Sequence, residues 1–344
     1  MIANDAPTIA ASPGRHTDQR ACPICADPNP IPWLAAPDRF NGRRTEYQLL
    51  RCRACAVVWL QDPPSKSEMG SHYGSDYDRA IADASQSPEH WVPRRDQLSR
   101  LKSGGAVLDL GCGSGAFLST LKGSSWKLYG IEMSEEAARE ARKRCGAEVF
   151  VGDVLDAHFP AGSFDAITCF NVFEHVYEPK EVLAKVAEWL KPGGVFYTLM
   201  PNIDSAGARI FRSYWYALEL PRHLYHFSPA TLSALARSSG LKEIYVRAHR
   251  ELYFESSFYY LVDDLLGRIG LTRPPLAQAR PLSFPVKVLR KLFRLTLLPV
   301  ITAAASLAGD GETISAVFTK DDAQGPVSGQ QARGDSGARH DTHG

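Results

Sequence analysis

The 344-residue chain carries 39 Lys and Arg against 38 Asp and Glu, a net charge of +1, and 44% of its residues are hydrophobic. This is the composition of a globular protein, and its balanced charge gives no reason to expect nucleic acid as a partner. No uncharged apolar run reaches the ~20 residues of a membrane-spanning helix, and the opening MIANDAPTIAASPGRHTDQR has no apolar core of signal-peptide length, so a cytoplasmic protein is expected.

In chain order, residues 1–20 read as a disordered tail. Residues 21–62 hold two knuckles, Cys22-Pro-Ile-Cys25 and Cys52-Arg-Ala-Cys55. Four thiolates at this spacing suit tetrahedral zinc in a closed structural site, and a hairpin through RTEYQLLRC accounts for the long separation. Two alternatives are a redox-active Cys-x-x-Cys, which a single pair beside a βαβ unit would suggest, and a nucleic-acid ribbon, for which basic residues are too few. Cys112, Cys145 and Cys169 lie in or beside apolar runs and read as packing. Residues 63–100 form a polar connector that includes HYGSDYD.

From residue 101 short apolar runs alternate with helical patterns. AVLDL (106–110), KLYGIE (127–132), AEVFVGD (147–153), FDAITCF (164–170) and GVFYTLM (194–200) read as buried strands. Helices are expected over 134–145, with Ser134 as N-cap and Gly146 as stop, and over 179–190. Alternation of this kind implies an α/β fold with a parallel sheet covered on both faces. In LDLGCGSGAFL, Gly111, Gly113 and Gly115 follow a buried strand and precede a helix, where glycine permits a tight turn and close approach of a ligand. Glu132 ends the next strand, where a carboxylate reaches ribose hydroxyls, and Asp153 ends the third, within reach of an adenine edge. Either acid alone is equally well explained as a solvated loop residue.

VLDLGCGSG, GIEMS, GDVLD, FDAITCFNVFEHV and LKPGGVFYTLMPN resemble, in order, the motifs of class I S-adenosylmethionine-dependent methyltransferases over residues 100–250. The resemblance implies a Rossmann-like seven-stranded sheet, its last strand antiparallel, with S-adenosyl-L-methionine across the strand carboxyl ends. It places Asp109, Gly111, Gly113 and Gly115 along the methionine part, Glu132 at the ribose, Asp153 and Val154 at the adenine, and Asn171 near the sulfonium. A four-cysteine module ahead of this core is similar to the zinc-containing sugar C-methyltransferases, which would set Tyr73 and Tyr77 near the substrate; surface packing is the equal alternative. Residues 101–320 are thus the expected methyltransferase domain, with a basic, apolar helical insertion over 255–309 and a disordered tail over 321–344.

Those sugar enzymes carry H-E-H-x-x-Y-F-S after the fifth strand; here Pro221-Arg222-His223-Leu224-Tyr225-His226-Phe227-Ser228 stands there. His223 matches the second histidine, but Pro221, Arg222 and His226 replace the first histidine, the glutamate and the tyrosine. The wording RHLYHFSPATL is similar to methyltransferases related to the ubiquinone O-methylating enzymes. An acceptor hydroxyl or carbon acid must lose a proton, and histidine is matched to that near neutral pH, so His223, His226 and His175, which follows Glu174, are the candidate bases. The alternative is that they brace the loop onto a helix capped by Ser228 with Pro229 first. Zinc at His223 and His226 is not expected, for want of partners at ligand spacing.

Between Asp264 and Asp310 the chain has no acid, while Arg268, Arg273, Arg280, Lys287, Arg290, Lys291 and Arg294 are basic. In VKVLRKLFRLTLL, Val286, Leu289, Phe293 and Leu297 share a helical face. Residues 268–308 therefore suit either an anionic membrane surface at the inner face or a lid packed on the core. The function expected is methyl transfer to an oxygen or carbon of a small acceptor such as a sugar, a lipid-linked glycan or a related metabolite. The alternative is a non-catalytic module whose zinc ribbon binds protein or nucleic acid.

Overall fold

Eleven short segments of β-branched and aromatic residues form two sheets in a computed structural model that describes residues 21–43, 45–73, 88–249, 253–269, 284–300 and 311–321. Both terminal tails, Tyr77, Arg273 and Arg280 lie outside the described residues. The strands are β1 (Ile31–Pro37), β2 (Glu46–Arg51), β3 (Val58–Leu60), β4 (Gly105–Leu110), β5 (Trp126–Glu132), β6 (Glu148–Val151), β7 (Phe164–Phe170), β8 (Leu190–Pro201), β9 (Tyr225–His226), β10 (Leu241–His249) and β11 (Thr313–Lys320).

The larger sheet runs β10-β11-β8-β7-β4-β5-β6, and only β11 opposes its neighbours, pairing antiparallel with both β8 and β10. Its central strands are buried on both faces because helices cover both, which is why β4 and β7 are largely apolar, with Asp109 and Asp165 the acids in them. Helix Glu135–Cys145 starts where Ser134 Oγ accepts from Ala137 N, stops at left-handed Gly146, and buries Ala138, Ala141 and Cys145. Helix Pro179–Trp189 has proline in its first turn and buries Val182, Leu183, Val186 and Trp189. The order of strands reverses between β4 and β7: β5 and β6 lie to one side, β8 onward to the other. Ligands in such sheets bind in the crevice at that reversal, outside the strand carboxyl ends.

The smaller sheet, β1-β2-β3-β9, was not legible as such. Its first three strands belong to the cysteine module, but the fourth is Tyr225–His226, where Val58 pairs with His226 and Trp59 with Tyr225. The stretch expected to be a loop before helix Pro229–Ser238 is therefore a strand of the module's sheet. Leu49, Leu50 and Trp59 of the module share one buried cluster with Leu110, Phe173 and Leu224. Burying this surface, at about 25 cal/mol per Å², fixes the module against the carboxyl-end side of the large sheet.

Beyond β10 the chain forms helices Tyr253–Arg268 and Phe284–Leu295. Phe293 is 4% exposed and stacks on Phe258 with ring centroids 4.0 Å apart. The apolar face expected from the sequence is not buried as a unit: Leu289 and Leu297 are exposed, and the side chain of Val286 lies outside the described residues. Among the described residues no helix is long and apolar enough to cross a membrane.

Candidate active site and cysteine centre

The four cysteine sulfurs converge. Cys22 Sγ and Cys55 Sγ are 3.6 Å apart, Cys25 Sγ and Cys52 Sγ 3.5 Å, and all four lie within 4.8 Å of one another. A tetrahedron with metal–sulfur bonds of about 2.3 Å has edges of about 3.8 Å, so the set fits zinc. The two knuckles are built alike: Cys22 N donates to Asp27 O, Cys52 N to Val57 O, and Ala26 and Ala56 end the turns at φ 61° and 62°. Without a cation, burial pushes the Cys22 thiol up to about 11, whereas a bound cation holds such a thiol ionised. Cys112, Cys145 and Cys169 are buried elsewhere, as packing.

The residues picked out on the large sheet gather at the carboxyl ends of β4, β5, β6 and β7. Gly111, Gly113 and Gly115 all have positive φ, but their surroundings differ. A Cβ on Gly111 would stand 2.4 Å from Val172 Cγ2 and one on Gly115 2.9 Å from Ala141 Cβ, while one on Gly113 would meet nothing within 4 Å. Packing thus demands two of the glycines, and the third borders open space. Glu132 stands beside that space: its Oε2 accepts from Gly113 N at 2.9 Å and its Oε1 from Ser134 N at 2.9 Å. A ligand with paired hydroxyls meets a carboxylate already aimed by two amides.

Asp109 sits behind the loop. Its side chain is buried and accepts from Thr168 Oγ1 at 2.6 Å, and burial pushes its carboxyl up to about 7. Asp153 caps the turn Val154–Asp156 through Leu155 N, and its second oxygen pairs with Lys66 Nζ at 2.9 Å. Burial alone would raise its pKa; the Leu155 amide and the Lys66 ammonium outweigh it and hold the carboxyl below the usual range. Asn171, at φ 55°, turns the chain sharply at the end of β7, and its side chain is exposed.

The histidines pack together behind this edge. The rings of His175 and His223 are 4.6 Å apart, and those of His223 and His226 6.1 Å. His175 Nδ1 is 3.0 Å from Arg222 O and 3.2 Å from Tyr73 Oη; His223 Nδ1 is 2.9 Å from Ala217 O. A carbonyl only accepts, so Nδ1 carries the proton in both rings and Nε2 the lone pair. Burial lowers all three histidines, His175 and His226 to about 3, with neighbouring imidazoles adding to it. They are neutral at pH 7.

Contrary to the sequence expectation, a carboxyl does approach His223. Glu174 is 2% exposed, its two oxygens have no hydrogen-bond partner, and its ligand atoms lie within 4.8 Å of those of His175 and His223. Burial pushes its carboxyl up to about 8, so this cluster is uncharged at neutral pH. His226 stays out of it, held in β9 with Nε2 unpartnered.

Arg222 and a residue without a sequence motif, Glu219, define the rest. Arg222, expected to stand where a catalytic glutamate would, is 0% exposed; it lies over the Phe40 ring, donates to His72 O and pairs with Glu219 Oε2 at 3.3 Å. Glu219, at φ 37°, also places Oε2 3.6 Å from His223 Nε2. Its one sequence signal is that it is the sole acid between Asp204 and Glu243.

Residues 83–246 match a family model described as a methyltransferase domain. The chain is 33% identical over 165 residues to the ubiquinone biosynthesis O-methyltransferase of Thiobacillus denitrificans, covering 44% of this chain and 69% of that protein. It is 34% identical to the enzyme of the same name from Xanthomonas axonopodis, covering 47% of this chain and 74% of that protein. Among solved structures, phosphoethanolamine N-methyltransferase 2 of Haemonchus contortus, in complex with S-adenosyl-L-methionine, shares the fold with a TM-score of 0.52 and 16% identity over 77% of this chain and 62% of that chain.

Proposed function

Because the chain belongs to the S-adenosylmethionine-dependent methyltransferases, we propose that it methylates a hydroxyl oxygen of a small acceptor reached from the side of its cysteine module. The cofactor supplies an electrophilic methyl group on a sulfonium; the chain binds, orients and removes a proton. Gly111, Gly113 and Gly115 border the methionine part, with Asp109 bracing the loop from behind. Glu132 takes the ribose hydroxyls, Asp153 and Val154 the adenine, and Asn171 stands near the sulfonium. His223 is the candidate base, its tautomer set by the Ala217 carbonyl, with His175 beside it and His226 a wall. Zinc on Cys22, Cys25, Cys52 and Cys55 holds the module and takes no part in transfer. Oxygen is preferred over carbon because both relatives named above are O-methyltransferases.

The observation that carries the cofactor reading is the open space at Gly113 beside the amide-held carboxylate of Glu132. Calorimetry with S-adenosylhomocysteine tests it. A charged hydrogen-bond pair contributes about 1.5–3 kcal/mol, so Glu132→Ala weakens binding by about ten- to a hundredfold. Unchanged affinity would remove Glu132 from the site.

The helix Phe284–Leu295 supports an acceptor made at a membrane, such as a lipid-linked glycan. Phe284, Leu292 and Leu295 are exposed on it, and Lys287, Lys291 and Arg294 flank Leu295. Flotation of the full chain with anionic vesicles tests this reading; absence of binding at low salt would remove it.

A further inference from the structure

Glu219 lines a small cleft together with Pro37, Arg39 and Phe40 of the cysteine module and Trp215 and Tyr260 of the core, and at this residue two hydrogen-bond acceptors face each other. One is Glu219 Oε2. The other is His223 Nε2, which carries a lone pair because Nδ1 is committed to Ala217 O. They stand 3.6 Å apart, beyond a direct hydrogen bond and with no proton to share. Two acceptors held in this way are unfavourable alone and favourable around a donor. The backbone enforces the arrangement: Glu219 sits in the left-handed region at φ 37°, ψ 44°, while its carbonyl accepts from Arg222 N and His223 N. The buried Arg222 Nη2 steadies the same carboxylate oxygen at 3.3 Å. His223 in turn touches His175, four residues beyond Asn171 at the carboxyl end of β7.

We propose that Glu219 Oε2 and His223 Nε2 together capture the acceptor's hydroxyl, so that Glu219 is a second catalytic residue, supplied to a pocket whose opposite wall is the cysteine module. This rests on the methyltransferase reading above. The hydroxyl donates its hydrogen bond into the pair. As its oxygen forms the bond to the methyl carbon, the sulfur–methyl bond breaks with its electron pair left on sulfur, which becomes a neutral thioether. The hydroxyl proton passes to His223 Nε2, and the positive charge lost from sulfur reappears as an imidazolium beside the Glu219 carboxylate. The carboxylate that the sugar-enzyme motif would supply at position 222 is thus furnished by position 219, with Arg222 as its counter-ion.

The test uses the full-length protein, Glu219→Gln and Glu219→Asp, with phenol, catechol and methyl glucoside as hydroxyl probes. Glu219→Gln is expected to lower kcat for transfer by about a hundredfold, the lower range for a group acting in acid–base catalysis, with KM and S-adenosylhomocysteine affinity little changed. Glu219→Asp, which keeps the counter-charge for Arg222, is expected to retain the fold and recover part of the loss. In nitrogen-15 spectra of the S-adenosylhomocysteine-saturated protein, the His223 Nε2 signal moves when a probe is added, and does not in Glu219→Gln. Undiminished kcat in Glu219→Gln, a loss of cofactor affinity or melting temperature that accounts for the loss of rate in both variants, or a His223 signal indifferent to all three probes overturns the proposal. A wild-type protein that does not bind S-adenosylhomocysteine overturns the methyltransferase reading instead.

Discussion

The proposed cofactor edge and the proposed acceptor side are built on different principles. On the first, each group assigned to the cofactor comes from one strand end and the turn that follows it: the glycine loop after β4, Glu132 after β5, Asp153 after β6, Asn171 after β7. On the acceptor side nothing is local. His223 and Glu219 from the β8–β9 connection meet Glu174 and His175 from the turn after β7, Tyr73 from the connector and Phe40 from the module. The cofactor edge therefore has the sheet as its scaffold, whereas the acceptor side exists only while the module is docked.

The largest expected effect separates the two. Removing zinc with a chelator, or Cys52→Ser, takes away a binding energy that in structural zinc sites reaches about 10 kcal/mol, and unfolds the module. Because β9 is then unpaired from β3, transfer is lost, while S-adenosylhomocysteine still binds by calorimetry. Simultaneous loss of cofactor binding would break the distinction.

Within the cofactor edge, Gly111→Ala and Gly113→Ala sharpen it. Both impose alanine on a positive φ, at about 1–2 kcal/mol. At Gly111 the new Cβ also drives into Val172, so the melting temperature falls, whereas at Gly113 it enters open space and the cost appears in cofactor affinity. Calorimetry and thermal melts on the same two proteins read this; equal patterns would contradict it.

The buried cluster gives a smaller, pH-dependent effect. Glu174 keeps its proton up to about 8 when folded but only to its ordinary 4.5 when unfolded, so the unfolded chain binds fewer protons between those values and stability falls as pH rises through them. Glu174→Gln removes that slope: the variant gains on the wild type by up to about 1.4 kcal/mol per pH unit in this window, seen in denaturant titrations. His175 and His226, lowered to about 3, act oppositely, and stability is lost as pH falls below about 6.5. The smallest effect belongs to Lys66→Ala. Lys66 is half exposed and pairs with Asp153 and Glu178, and such bridges contribute about 0–1 kcal/mol. Its melt shifts by a degree or two at most.

Particular residues show where reading the chain stopped. Ser134, Gly146 and Pro229 announced their helices because capping is a contact between residues a few positions apart. The cysteine pairs announced a metal centre because each knuckle is local and two of them at this spacing supply the four thiolates of a tetrahedral zinc site. In the motif Arg222 stands in place of a glutamate; in space it is the counter-ion of Glu219, a relation along the chain too short for a motif and too irregular for a helix, produced by a left-handed residue. Spacing relates Glu174 to the adjacent His175, and nothing in it relates Glu174 to His223 forty-nine positions on.

Sequence alone determined the alternation of strands and helices through the centre of the large sheet, the glycine loop with its acidic partner and the four sulfurs, because hydrophobic period, caps and short motifs act over one or two turns of chain, while the antiparallel final strand followed from the family resemblance. Tertiary structure alone decided that Tyr225–His226 is a strand of the module's sheet, that three histidines are buried neutral, and that Glu219 faces His223 across 3.6 Å. Those facts depend on burial and on which distant segments share a surface, and the free energy that joins them is the non-directional burial of apolar area, which leaves no periodic trace in the chain.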